Sequence, residues 1–188
     1  AAALAAGERS VDLAPDDANS HRQLSYASFV SGDVAGFRAH AERGLALNPN
    51  DSNVMGDTGT LMSFSGSYDR GLELITEAIA RNPHHPNWWY LGVVSAHWMN
   101  GRHEDAAAAL TKIDQPDNFW PYLMRTVVST ELRDAEGAAA ALAQLYQLYP
   151  DFNIATYRVE AAYWQPTPEF IERAIAALRK AGVPEGTD

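Results

Sequence analysis

Prolines stand at Pro15, Pro49, Pro83, Pro116, Pro150 and Pro184, at successive intervals of 34, 34, 33, 34 and 34 residues. A fixed period in that range marks a stacked array of small units, each of which buries its apolar face only against its neighbours. The text around the prolines repeats as well: LAPDDA, LNPNDS, RNPHHP, DQPDNF, LYPDFN and GVPEGT. Proline has no backbone N–H and blocks the continuation of a helix, while Asp, Asn or Thr beside it can cap the next one. A second break falls midway through each unit, at Ser31-Gly32-Asp33, Ser65-Gly66-Ser67, Asn100-Gly101-Arg102, Arg133-Asp134 and Pro166-Thr167. Each unit therefore reads as two helices, A and B.

Composition fits such an array. Hydrophobic content is 46%, much of it alanine, and runs such as Ala106 to Ala109 and Ala138 to Ala141 read as faces on which helices approach closely. Residues 1–14 read as a B helix without its A helix, and the chain does not begin with methionine; the expectation is part of a longer protein. Near the other end, Thr167-Pro168-Glu169 has the form of a helix start, with a capping residue, proline in the first turn and an acid at the positive end of the dipole. Apolar positions 171, 174, 175 and 178 follow at helical spacing. Glu169, Glu172, Arg173, Arg179 and Lys180 are expected to form the polar outer face that the last helix of an array must present.

The unit length and its landmarks resemble the tetratricopeptide repeat (TPR). Trp88, Leu91 and Gly92 match the front of the repeat in the third unit, and Gly66, Tyr68, Gly71, Ala78 and Pro83 match the back of the second. The front and back of the third unit disagree by about two residues, which predicts a longer A helix or a longer turn there. The expected fold is an all-α, TPR-like α-solenoid in a single domain. It comprises a partial repeat over 1–17, repeats over 18–51, 52–85, 86–118, 119–152 and 153–186, and a C-terminal capping helix. The stretches NPHHPNWWYLGVVSAHWMNGRHEDAAAAL and WQPTPEFIERAIAALRKAGVPE are similar, more narrowly, to the TPR tail of bacterial class III adenylate cyclases and of some winged-helix regulators. That resemblance implies a regulatory or interaction module whose output domain lies upstream.

A formal charge of −10 and a pI near 4.9 argue against gripping a phosphate backbone, which needs clustered Lys and Arg. The only lysines are Lys112 and Lys180. The sequence has no run apolar and long enough to span a bilayer, so no membrane partner is expected. Cysteine is absent, which removes disulfide and thiolate chemistry and fits a cytoplasmic location. His103-Glu104-Asp105-Ala106-Ala107 begins like a HExxH zinc helix, but Ala107 stands where the second histidine is required. His84, His85, His97 and His103 read as turn and surface residues. GxSxG, P-loop and GxGxxG patterns are absent. The expectation is a protein with no catalytic residues, no metal and no cofactor.

The TPR resemblance also implies a concave groove lined by the A helices. Carried over by register, its lining is Arg22, Tyr26 and Phe29 in the first full unit, Asn53, Thr60 and Phe64 in the second, and Trp89, Val93 and His97 in the third. Trp120 and Val127 follow in the fourth unit and Tyr157 in the last. Aromatic rings bring large contact area at modest entropic cost, so such a lining suits a protein or peptide partner, including an upstream domain of the same polypeptide. The Lys and Asn clamp that holds chaperone-tail carboxylates in other TPR proteins is missing here. A second possibility is that the groove senses a small metabolite. Trp88, Tyr90, Trp98, Tyr122 and Tyr163 are expected to pack between helices instead.

Overall fold

A computed structural model describes residues 2–186. Eleven α-helices follow one another: α1 (Ala2–Leu13), α2 (Ala18–Val30), α3 (Val34–Leu47), α4 (Ser52–Phe64), α5 (Tyr68–Arg81), α6 (Trp89–Met99), α7 (His103–Leu110), α8 (Phe119–Glu131), α9 (Ala135–Leu148), α10 (Ile154–Ala162) and α11 (Pro168–Lys180). No strand occurs among the described residues. The even-numbered helices are the A helices, each followed by its B partner, and α1 packs against α2. Residues 1, 187 and 188 lie outside the described residues.

The turn chemistry anticipated from sequence sets the helix ends. Side chains of Asp17, Asp33, Asp51, Asn118, Asp134, Asn153 and Thr167 each accept a backbone N–H in the first turn of the helix that follows, which satisfies donors that have no partner within the helix. Between A and B helices, Gly32, Gly66 and Gly101 take φ of 83°, 94° and 73°, the left-handed conformation that ends a helix without a Cβ clash. The last two hairpins do the same with Arg133 at φ 61° and Gln165 at φ 48°.

Close approach holds the hairpins together. A Cβ on Gly59 would lie 2.7 Å from the Gly71 carbonyl, and one on Gly71 would lie 2.3 Å from the Ser63 hydroxyl, so α4 and α5 meet backbone to backbone. In the first hairpin Phe29 and Phe37 pack edge to face, 5.3 Å between centroids, and both are fully buried. Behind them His21 Nε2 bonds the Pro15 carbonyl at 2.9 Å, and its Nδ1 meets His40 Nδ1 at 3.0 Å.

The third unit departs from expectation. Neither its A helix nor its turn is longer: α6 has 11 residues and α7 only 8, against 13 for α4 and 14 for α5. The extra length sits in the non-helical connections 82–88 and 111–118, where Pro83, Pro86 and Pro116 prevent the flanking helices from extending.

The C-terminal hairpin closes the array. α11 packs against α8 as well as α10, and the loop before it returns to the middle of the chain. Tyr68 Oη and Thr167 Oγ1 are 3.2 Å apart, Phe64 meets Trp164 edge to face at 5.7 Å, and Phe170 meets Trp98 at 4.9 Å. Arg173, expected on the outer face, turns inward. Its guanidinium donates to the Met99 carbonyl at 3.1 Å, meets His103 Nε2 at 2.9 Å, and lies 4.8 Å from the Trp98 ring centroid. The reason is position: Arg173 follows Phe170 by one turn, and Phe170 is buried on Trp98. Beyond α11, the carbonyls of Pro184 and Glu185 accept the N–H groups of Ile154 and Ala155 at 2.9 and 3.0 Å, tying the tail to the start of α10.

Two expectations follow from these geometries. Arg133→Gly removes a side chain from a left-handed position, a gain partly offset by a more flexible unfolded chain; chemical denaturation should register a net stabilisation of about 0.5 kcal/mol. Burial and the neighbouring His21 ring hold His40 below its ordinary pKa, against a weaker upward pull from Asp33. His97 is lowered by burial and Arg102 against the pull of Asp105. Both histidines take up protons more readily unfolded than folded, so stability should fall as pH drops below about 6.5. His40→Gln should flatten that decline in melting curves recorded across the range.

Candidate functional site

The A-helix face of the array is where the structure leaves space. Its character is set by how α6 is rotated. The Trp89 indole fills a slot left by Gly56 on α4, where an added Cβ would come within 2.3 Å of the ring. Its Nε1–H donates to Asp57 Oδ1 at 2.8 Å, and the residue is fully buried. With Trp89 fixed in this seam, successive residues turn by about 100° along the helix, and Trp88, Leu91 and Ser95 come to face the groove.

These residues join others from four helices and the loops beside them around a cavity of 320 Å³: Phe64 from α4, Asn118 at the start of α8 with Trp120 and Met124 from it, Tyr157 and Ala161 from α10, and Trp164, Pro166 and Phe170 from the closing loop and α11. Tyr26 stands at its edge. Its lining is overwhelmingly apolar, and no charged side chain belongs to it. Tyr26 and Trp88 also border an open groove of 610 Å³ next to α1, which contains Arg22, Gln23 and Asp57. There Arg22 pairs with Asp57 and donates twice to Asn19 Oδ1, at 3.0 and 2.7 Å. Burial, with Tyr163 and Asp57 nearby, raises the Tyr26 phenol above its ordinary pKa.

The positions expected to line the groove separate into two groups. Tyr26, Phe64, Trp120 and Tyr157 come together at the cavity, and Arg22 lies in the adjoining groove. Asn53 is exposed at the start of α4. Phe29, Thr60, Trp89 and Val127 are 0% exposed, and Val93 is buried at 9%. These five pack in the seams between helices. His97 is half-buried beside Asp105, 3.8 Å from Nδ1 to the carboxylate. Two residues expected to pack are misplaced in the other direction: Trp88 lines the cavity, and Tyr163 is 53% exposed. The signal that could have separated Trp88 from Trp89 is Gly56, a position on α4 without a side chain, on which the indole sits. Among the described residues no group of three or more His, Asp or Glu side chains is placed to hold a metal ion, and no helix is long and apolar enough to cross a membrane.

Comparison with known proteins agrees with this architecture. A family model described as "Tetratricopeptide repeat" matches residues 63–119, from the end of α4 to the start of α8. The fold is an all-α, TPR-like solenoid of helical hairpins. A solved structure entitled "Crystal structure of MamA protein" superposes with a TM-score of 0.61 at 17% identity, covering 87% of this chain and 89% of that one. No curated protein matches the chain. The matched span holds Gly66, Gly71, Trp88, Leu91 and Gly92, the landmarks on which the sequence resemblance rests.

The separation of seam from surface is measurable. Trp89→Ala should cost about 3–5 kcal/mol of folding stability, as truncation of a buried aromatic does. Tyr26→Ala, at an exposed ring, should change stability by no more than about 0.5 kcal/mol in the same denaturation experiment.

Proposed function

We propose that this chain is a non-catalytic protein-interaction module serving as the regulatory arm of a larger bacterial protein. The observation that carries the proposal is the open half of the concave surface. Tyr26 keeps 38% of its surface exposed beside the Arg22–Asp57 pair. An accessible aromatic ring next to a partly buried charged pair combines large contact area with directional hydrogen bonding, the usual make-up of an interface anchor. The partner that fits is a peptide segment or helix with an apolar side chain for the Tyr26 and Trp88 rings and a hydrogen-bonding group for Arg22 and Asp57. A segment of an upstream domain in the same polypeptide meets that description as well as a separate protein does. Of the positions expected in the groove, the proposal keeps Arg22, Tyr26, Phe64 and Trp120, the ones open to the concave side. The likeness of residues 82–110 and 164–185 to the TPR tails of bacterial adenylate cyclases and winged-helix regulators supports the regulatory placement.

Photocrosslinking tests this. A benzophenone amino acid at Gln23, in the open groove, should capture a partner from bacterial lysate, whereas the same group at Arg38, exposed on the B helix α3, should not. Tyr26→Ala should weaken binding of the captured partner by about 1 kcal/mol or more. Capture at position 38 alone, or binding indifferent to Tyr26→Ala, would place the partner on another face.

A further inference from the structure

We infer that the cavity beneath the C-terminal hairpin binds a small, uncharged, ring-containing molecule that carries a hydrogen-bond acceptor. At 320 Å³ it lies at the lower end of small-molecule sites, about 300–1,000 Å³, with room for a bicyclic ring system. This fold can bury large rings completely, as it does Trp89 and Trp98. Phe64, Trp88, Trp120 and Trp164 are left partly exposed around one shared space. Phe64 and Trp164 touch edge to face, yet none of the four rings is fully buried as Trp89 and Trp98 are. Flat aromatic walls favour a flat apolar guest through stacked and edge-on contacts.

The chemistry of the lining narrows the guest. With no charged side chain in the wall, an ion entering the cavity would lose its hydration without gaining a counter-charge. One polar group is unsatisfied. Tyr157 belongs to the wall and is 0% exposed, yet its hydroxyl has no hydrogen-bond partner. A buried hydroxyl left unpaired is destabilising, and phenylalanine would fill the same volume without that cost. Burial pushes the phenol well above its ordinary pKa, so it stays protonated and offers a donor. The complement it lacks is an acceptor such as a carbonyl oxygen. The Arg22 and Asp57 pair belongs to the neighbouring groove alone, while Tyr26 and Trp88 border both spaces.

The test uses a matched pair of probes, 2-acetylnaphthalene and 2-isopropenylnaphthalene, which share a shape and differ in the carbonyl oxygen. Calorimetry and tryptophan fluorescence on the full chain should give saturable one-to-one binding of both, with the acetyl compound tighter by about three- to tenfold. Tyr157→Phe should bring that ratio to about one while keeping hydrocarbon binding, and without probe it should melt no lower than the wild type. Ala161→Leu and Ser95→Leu fill the cavity from different helices, and each folded variant should lose binding. Several results would overturn the inference. They are no saturable binding of either probe (an empty apolar void), a preference that survives Tyr157→Phe, a lower melting temperature for that variant, or unchanged binding in both filled variants.

Discussion

The Trp89 indole seated on Gly56 governs more of this structure than any other contact. A solenoid has no common centre, so each hairpin is held by its seams with the units before and after it. At this seam a glycine on α4 leaves room for the largest side chain on α6, and the indole N–H ends on Asp57. The same carboxylate takes the guanidinium of Arg22 on α2. Three successive A helices are thereby joined through one acid. The seam also fixes the rotation of α6, and that rotation decides which side chains face the groove.

The C-terminal hairpin adds a constraint of a different kind. Nearest-neighbour stacking makes contacts that are local in sequence, but Tyr68 and Thr167 are 99 residues apart and Arg173 reaches Met99 across 74. Arg173, Phe170 and Trp164 hold the end of the array against the turns after α4 and α6. The concave surface is divided as a result. Its N-terminal half stays open around Tyr26 and Arg22, and its other half becomes a cavity with walls from α4, α6, α8, α10 and α11. The groove expected from the repeat pattern is thus partly occupied by the chain itself, which leaves an open groove with a charged pair beside a cavity with no charged side chain.

How far the sequence was legible follows the range of each interaction. Pro49, Pro83 and Pro150, the glycines at 32, 66 and 101, and capping residues such as Asp17 and Thr167 act within a few residues of where they stand. Helix starts, turns and the repeat could therefore be read directly, including the use of Arg133 in place of glycine. Alanine-rich B helices announced close packing for the same reason. The third unit was misjudged because proline shortens helices locally but does not say which side of the proline absorbs the slack.

Facing was harder. Trp88 and Trp89 are chemically identical in the sequence, and a rotation of about 100° sends one to the cavity and the other to the core. That rotation is set by Gly56, more than thirty residues earlier, a distance over which no local preference speaks. Arg173 carries the same lesson: helical periodicity marks it as polar, and only Trp98, Met99 and His103 brought in from the third unit give it an inward place. By itself the sequence determined the all-α repeat architecture, because capping and helix breaking are local and periodic. The tertiary structure alone decided which aromatics bound a cavity and where the groove remains open, because those outcomes depend on seams and closures between segments far apart in the chain.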